Sequence, residues 1–108
     1  MDDSAAVVGG LYGARASDGL FRVVKVLVVD ESAVHIRMYA ERFTELPRSI
    51  SSSELSLGSI DNQGSVGIGH APVSRAGFLQ EGRMLLATEP VRNDELEGYR
   101  IWAGEEDA

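Results

Sequence analysis

The sequence contains no cysteine, and this absence excludes disulfides, zinc–thiolate sites and thiol nucleophiles. It has only two histidines, His35 and His70, so a metal site would need carboxylates as well, and we predict no metal site and no cofactor. Lys25 is the only lysine among the ten basic residues, and the arginines are scattered singly. Because nucleic-acid affinity depends on clustered Lys and Arg, and the net charge is −7, we expect no nucleic-acid partner.

Long apolar runs are also missing. The longest, residues 26–29 and 84–87, are far below the roughly 20 residues that span a bilayer, so we expect no membrane partner. The start, MDDSAAVVGG, is acidic where an export signal is basic, which predicts a cytoplasmic protein. In 108 residues we expect disorder over 1–9, a single domain over 10–103 and a disordered acidic tail over 104–108.

Valine is abundant in residues 21–30, FRVVKVLVVD, which predicts a strand. Both of its faces are mainly apolar, as in a central strand or one that bends through a small barrel. A shorter strand is predicted before it, over residues 10–14, and another over residues 83–91, where Pro90 marks a strand end or a sheet edge. The two early strands are separated by a turn signal, Ser17-Asp18-Gly19.

The stretch KVLVVDESAVHIRM resembles the opening of bacterial response-regulator receiver domains. The resemblance implies that Asp30 and Glu31 hold a magnesium ion beside a phosphorylated aspartate and that a helix follows them. The chain offers only Asp61, in SIDNQG, as an acceptor in a suitable interval, and its single lysine precedes the acidic pair. We therefore interpret the local resemblance as coincidental.

Periodicity separates the receiver interpretation from a hairpin. As a helix, residues 33–43 (AVHIRMYAERF) form no single apolar stripe. As a strand they alternate cleanly, with Val34, Ile36 and Met38 on one face and the intervening residues on the other. The alternation favours a β-hairpin whose turn contains Asp30 and Glu31.

These patterns predict an α+β fold: an antiparallel meander or small SH3-like barrel of about four strands, covered by two or three short helices. Ser51 and Glu54 predict one helical turn, Ser74 caps a second helix, and Asp94 and Glu97 open a third over residues 95–102. The predicted core comprises Leu11, Val24, Val26, Val28, Val34, Ile36, Met38, Phe43, Leu55, Phe78, Leu85, Leu96, Tyr99 and Trp102.

Two groups of residues are candidates for binding. His35, Arg37 and Tyr39 share one face of the second hairpin strand, which is either an anion- or peptide-binding surface or the solvent face of the sheet. The other group is Gly67, Gly69 and His70, at the end of a Gly-rich segment over residues 58–70 that we expect to be mobile. Such a segment either brings N–H groups to a phosphate or is a structural loop.

Catalytic residues are not predicted. His70 with Ser74 or Asp61 is the nearest approach to a hydrolytic set, but spacing alone does not bring a nucleophile, a base and an acid together. Tyr99 and Trp102 lie three residues apart on the predicted last helix, either as a docking ridge or as the face that packs on the sheet.

The pattern FRVVKVL, VHIRMYAERF, LSLG, GIGHAPVS and ELEGYRIW, spread over residues 10–102, resembles a small bacterial family of unknown function, and the resemblance implies a compact stand-alone domain. The leading hypothesis is a non-catalytic protein-interaction module, of adaptor or immunity type, that binds a basic protein partner. The alternatives are a small-molecule or anion-binding protein and an atypical phospho-receiver domain.

Overall fold

The computed structural model describes residues 6–16, 18–31, 33–47, 50–55, 57, 67–80 and 83–104. They form a small α+β domain built on a five-stranded antiparallel sheet with the strand order β4-β3-β2-β1-β5. Two α-helices and two 3-10 helices accompany the sheet. In chain order the elements are β1 Gly10–Arg15, β2 Phe21–Val29, β3 Ala33–Phe43, a 3-10 helix Ser52–Glu54, β4 Ile68–Ser74, α1 Arg75–Gln80, β5 Met84–Thr88, a 3-10 helix Asn93–Leu96 and α2 Glu97–Ala103.

The central hairpin of β2 and β3 confirms the predicted alternation. The strands pair with Val26 opposite Ile36 and Val29 opposite Val34. At the turn, the Asp30 Oδ1 atom accepts a hydrogen bond from the Ala33 amide at 2.8 Å, and the Asp30 amide donates to the Ala33 carbonyl at 3.0 Å. Residues 33–43 are therefore a strand, and the receiver interpretation loses the helix on which it depended.

The sheet has five strands where the sequence predicted about four, because β4 forms within and just beyond the segment interpreted as a mobile loop. It pairs with β3, so long-range hydrogen bonding compensates for a sequence, IGHAPVS, whose glycine and proline disfavour a strand. Pro72 is compatible with this position since β4 is an edge strand, where a missing N–H costs little. Residues 58–66 of the predicted loop lie outside the described residues.

The meander prediction agrees with this sheet, whereas the barrel alternative does not. Over the described residues the sheet is open, with β4 at one edge and β5 at the other. Strand β5 is shorter than predicted and ends before Pro90, as that proline indicated. No helix within these described ranges is long and apolar enough to cross a membrane.

The core lies on both faces of the sheet, which explains why β2 is apolar on both sides. Neighbouring residues of a strand point to opposite faces, so Val23 and Val24 belong to different clusters. One cluster comprises Tyr12, Val24, Val26, Val34, Ile36 and Phe78, the last contributed by α1. The other comprises Leu11, Val23 and Tyr39, with Phe43, Ile50, Leu55, Leu57, Leu86 and Ala87 packed around it.

The predicted core is partly confirmed. Two of its members are wrong: Leu85 is 47% exposed and Trp102 is 52% exposed. A bulge in the β1–β5 pairing places Leu86, rather than Leu85, against the core. Those fully buried as predicted are Leu11, Val24, Val26, Val34, Ile36 and Phe78, and those half-buried are Val28, Met38, Phe43, Leu55, Leu96 and Tyr99.

Two of the short helices begin at the serine caps that were predicted. The Ser74 hydroxyl accepts from the Gly77 amide at 2.9 Å and opens α1, and the Ser51 hydroxyl accepts from the Ser53 amide at 3.3 Å. The last helical region differs from its prediction, because the Glu95 carboxylate accepts from the Arg92 amide at 2.8 Å and the 3-10 helix precedes α2. The described part of the chain thus contains four short helical segments, where two or three were predicted.

The chain segment before β1 contacts the sheet. The Gly9 amide donates to the Val26 carbonyl at 2.8 Å, and the Val7 amide donates to the Tyr12 hydroxyl at 3.0 Å. Of the termini that we predicted to be disordered, residues 1–5 and 105–108 lie outside the described residues.

Candidate functional site

The two predicted binding groups lie side by side, because β3 and β4 are paired. His35, Arg37 and Tyr39 lie on β3, Gly69 and His70 lie on β4, and Gly67 directly precedes β4. The pairing places Ile36 opposite Ala71 and His35 opposite Pro72. The tertiary structure therefore joins two candidates that the sequence offered separately.

A hydrogen-bonded chain of Asp30, His35 and His70 is the main polar feature of this region. The His35 Nε2 atom lies 2.8 Å from the Asp30 Oδ2 atom, and the His35 Nδ1 atom lies 3.0 Å from the His70 Nε2 atom. His35 is fully buried, whereas the Asp30 side chain is 35% exposed. The chain thus runs from a partly exposed carboxylate through a buried imidazole to a half-buried one.

The carboxylate determines how the protons are arranged along this chain. Because an ionised Asp30 only accepts, the His35 Nε2 atom must donate to it. In a neutral His35 the Nδ1 atom is then an acceptor, so the His70 Nε2 atom donates to it. The pKa of His70 is lowered, first because burial disfavours its charged form and second because His35 lies beside it.

Helix α2 covers the two histidines with aromatic rings. The His35 ring centroid lies 4.8 Å from that of Tyr99 and 4.7 Å from that of Trp102, both in edge-to-face geometry. The His70 ring lies beside the His35 ring and nearly coplanar with it, with 5.1 Å between the centroids and 11° between the ring planes. Gly98 makes this close packing possible, since a Cβ atom at that position would lie 2.7 Å from the His70 Cβ.

The predicted glycines are part of the sheet region, and their backbone groups bond to neighbouring segments of the chain. The Gly67 amide donates to the Leu57 carbonyl at 2.7 Å, and the Gly69 carbonyl accepts from the Arg37 Nε atom at 3.4 Å. A side chain at Gly67 would collide with the Met38 carbonyl, so the glycine is explained by close backbone packing. The structural interpretation of this segment accounts for these contacts without a ligand.

Tyr39 lies in the core and not on a solvent face. It is 3% exposed and packs with Leu11 and Val23. Its hydroxyl has no hydrogen-bond partner among the described residues. Burial, reinforced by the nearby Glu95 carboxylate, raises the pKa of Tyr39 to about 12, so the phenol stays neutral.

A buried ion pair fixes the start of the last helical region to the sheet. The Lys25 Nζ atom lies 3.0 Å from the Glu95 Oε1 atom and 2.9 Å from the Pro90 carbonyl, and both side chains are 1% exposed. Glu95 also accepts from the Arg92 amide. The pair thereby positions the 3-10 helix that leads into α2.

The hydrolytic alternative gains no support from the described residues. The Ser74 hydroxyl accepts from the Gly77 amide as a helix cap, and Asp61 lies outside the described residues. Within the same part of the chain, no cluster of three or more His, Asp or Glu side chains has a geometry suited to a metal ion.

A cavity of about 110 Å³ lies elsewhere on the sheet, beside the β1–β2 hairpin. Arg15, Arg22 and Arg83 contribute to its wall. The Arg15 guanidinium lies over the Phe21 ring, 4.9 Å from its centroid, and the Arg83 guanidinium lies over the Phe78 ring at 4.6 Å. The remaining lining residues are Ala14, Ala16, Val24 and Met38. None of the predicted binding residues lines this cavity.

The outer side of α2 presents apolar side chains next to acidic ones. Ile101 and Trp102 are 60% and 52% exposed, although one edge of the Trp102 ring system packs on His35. Glu97 is exposed one helical turn before Ile101, and the Asp94 side chain is 73% exposed. We call these four residues the α2 surface.

Sequence reasoning missed the roles of Asp30 and Lys25. Asp30 was interpreted only as a turn former. The predicted hairpin nevertheless places it near the first residues of β3, which include its partner His35. Lys25 in an otherwise apolar strand was a signal of a buried charge that needs a partner. Its partner, Glu95, lies 70 residues away in the sequence and could not be identified by spacing.

The chain matches no protein-family model, no curated protein and no solved structure. Its function is therefore argued from the geometry described above.

Proposed function

We propose that the protein is a non-catalytic interaction module, of adaptor or immunity type, that binds a basic protein partner through the α2 surface. The observation that carries the proposal is the exposure of Ile101 and of about half of Trp102 on a helix that packs on the sheet through Tyr99 and the remainder of the Trp102 side chain. Large apolar side chains at the centre of a small exposed patch are the usual anchors of protein interfaces, and tryptophan is enriched among them.

The position of Trp102 supports an anchoring role. Its edge-to-face contact with His35, at 4.7 Å between centroids, holds the indole on a buried side chain, so little side-chain entropy remains to be lost on binding. The flat exposed face of the indole suits an apolar side chain or an arginine, which binds aromatic faces through cation–π attraction.

Charge favours a basic partner over an acidic one. The chain carries −7 overall, Glu97 and Asp94 border the apolar residues, and the sequence continues from α2 into Glu105, Glu106 and Asp107. Attraction between oppositely charged surfaces accelerates association. Salt weakens this attraction, because the Debye length falls from about 10 Å at 0.1 M to about 3 Å at 1 M.

Affinity capture with matched variants tests the proposal. We expect the wild-type chain and a Met84→Ala variant to retain the same basic protein from a lysate of the source organism, because Met84 is 55% exposed but lies on β5. Trp102→Ala should lose it, and Glu97→Lys should weaken capture more at 50 mM than at 300 mM salt. Capture that is unchanged by Trp102→Ala, or the absence of any specific basic protein, contradicts the proposal.

Binding of a small anion is a second candidate, favoured by the cavity that Arg15, Arg22 and Arg83 line. A guanidinium group can stack on an aromatic ring through its face while its edge donates to carboxylate or phosphate oxygens. We expect phosphate, sulfate or a dicarboxylate to raise Tm relative to chloride at equal ionic strength. Arg83→Gln should abolish the increase and Arg92→Gln, an exposed arginine that does not line the cavity, should not. Equal Tm in all salts contradicts this candidate.

A further inference from the structure

We propose that the Asp30–His35–His70 chain is a proton-operated latch, which holds α2 on the sheet near neutral pH and releases it when both imidazoles are protonated. The latch is a property of the fold, so it is independent of the identity of any binding partner. Its physical basis is the direct contact between the two histidine rings.

The contact between the rings depends on a single shared proton. The His35 Nδ1 and His70 Nε2 atoms are 3.0 Å apart, a distance at which one nitrogen must donate and the other must accept. Two states satisfy this requirement: both rings neutral, or one ring protonated. With both rings protonated, two N–H groups face each other and no hydrogen bond is possible.

The surrounding charges compensate for one imidazolium and not for two. Asp30 supplies the carboxylate that contacts His35. The other charged groups on elements packed here are directed elsewhere or lie further out. The Arg75 guanidinium binds the Asp30 carbonyl, and Arg37 binds the Gly69 carbonyl, so neither offers a negative charge. Two further carboxylates are near in the sequence, Glu31 in the turn after Asp30 and Glu97 on α2, and both are exposed. Helix α2 also carries Arg100 and the phenol of Tyr99.

The burial of His35 makes a second proton costly. His35 is fully buried, and the ring centroids of the two histidines are 5.1 Å apart. Two positive charges at this separation repel each other, and the surrounding rings of Tyr99 and Trp102 exclude the water that would screen them. The pKa of His70 is lowered, first by burial and second by the neighbouring His35. A lowered pKa means that protonation of His70 is disfavoured, as this repulsion requires.

Release of the histidines frees α2 in particular. The helix is seven residues long and contacts the sheet here through Tyr99, Trp102 and the backbone at Gly98, which all lie on His35 or His70. A helix this short is not stable without its packing. Movement of His70 away from His35 therefore removes the part of this surface on which Gly98 packs, and α2 keeps only its ring contacts with His35, while the β1–β2–β3 pairing is unaffected.

The sign of the effect follows from the linkage between protonation and stability. Because the pKa of His70 is lowered in the folded protein, the unfolded or undocked chain binds more protons below the ordinary histidine value of 6.5. Docking is therefore strongest above about pH 6.5, weakens as the pH falls from there to the lowered pKa, and is constant below it.

A pH titration of the wild-type protein tests the latch, since Trp102 is the only tryptophan and reports on α2 alone. Between pH 7.5 and 5 we expect the indole NMR resonance to move to its solvated position. Hydrogen exchange, corrected for its intrinsic pH dependence, should lose up to about tenfold protection in α2 per pH unit between about pH 6.5 and the lowered pKa of His70, and no more below it. The β2 amides should keep their protection over the same range.

A His70→Gln variant separates the latch from other acid effects, because the amide can donate to the His35 Nδ1 atom but does not titrate. In this variant we expect α2 to stay protected at pH 5. The proposal is overturned if wild-type α2 keeps its protection at pH 5, if β2 and α2 lose protection together, or if the variant shows the wild-type transition. If the variant does not fold, the wild-type protein alone tests the latch, through the difference in hydrogen-exchange protection between the α2 and β2 amides at pH 5.

Discussion

The Lys25 ammonium lies 3.0 Å from the Glu95 carboxylate in the interior of the protein, and only 1% of each side chain is exposed. The pair joins the central strand to the 3-10 helix that precedes α2, and the Pro90 carbonyl and the Arg92 amide complete its hydrogen bonds. A buried pair of this kind contributes little net stability compared with apolar residues, but loss of one partner leaves an uncompensated charge.

Glu95→Gln should therefore lower the free energy of unfolding by about 3–5 kcal/mol, as measured by urea denaturation at pH 7. The exposed Glu97→Gln variant is the control and should change it by less than about 0.5 kcal/mol. The double variant Lys25→Met/Glu95→Leu should be more stable than Glu95→Gln. A cost below about 1 kcal/mol for Glu95→Gln would show that the pair does not hold this region.

Gly98→Ala tests the close packing of α2 on His70. The added Cβ would lie 2.7 Å from the His70 Cβ, so the helix must move, at a cost of about 1–3 kcal/mol. Gly69→Ala is the matched control, because its Cβ would meet the Leu57 Cδ1 atom at an ordinary 3.8 Å. Thermal denaturation and Trp102 fluorescence should change in the first variant only. Equal stability of the two variants would contradict the described packing of Gly98.

Tyr39 and Tyr12 provide a contrast between two buried hydroxyls. The Tyr39 hydroxyl has no hydrogen-bond partner among the described residues, so Tyr39→Phe should leave the protein equally stable or stabilise it by up to about 1 kcal/mol. The Tyr12 hydroxyl accepts from the Val7 amide at 3.0 Å, so Tyr12→Phe should cost about 0.5–1.5 kcal/mol. Chemical denaturation measures both, and a large loss for Tyr39→Phe would reveal a partner for that hydroxyl.

Ser52→Ala should reduce stability at neutral pH but not in strong acid. Two hydrogen bonds from Ser52, of which the hydroxyl bond has the larger effect, lower the pKa of Glu89 below its ordinary value of 4.5. In the pH range between the lowered pKa and 4.5 the unfolded chain binds more protons, so this stabilisation is complete above that range and is lost as the pH falls through the folded pKa.

Because Glu89 is partly exposed, we expect Ser52→Ala to cost no more than about 1 kcal/mol at pH 7. The difference from the wild-type protein should disappear when Glu89 is protonated. Urea denaturation at a series of pH values checks this, with the exposed Ser53→Ala variant as control. A difference that persists unchanged at low pH would mean that Ser52 acts through packing and not through the charge of Glu89.

The local patterns of the sequence determined a large part of the fold. Alternation over residues 33–43 defined β3, the valines of residues 21–30 defined β2, and Ser74 marked the start of α1. These signals depend on residues that are neighbours in the chain, where the period of the side chains directly distinguishes a strand from a helix. The central hairpin was therefore predictable from the sequence alone.

The tertiary structure decided what the sequence left open or suggested wrongly. Strand β4 contains a glycine and a proline and begins within a glycine-rich segment, and it becomes a strand because β3 supplies its hydrogen bonds. Trp102 was predicted to be buried, but the short α2 covers only the two histidines and leaves much of the indole exposed. In both cases the partner, and not the local sequence, determines the outcome.

The same distinction holds for the candidate site. The sequence identified His35 and His70 as unusual residues, but 35 positions separate them and only the β3–β4 pairing brings their nitrogens to 3.0 Å. Lys25 and Glu95 are separated by 70 positions and meet through the packing of the last helical region. Local periodicity determines which way a side chain points, whereas contacts between distant segments depend on how the strands and helices pack, and that arrangement is set by the whole chain.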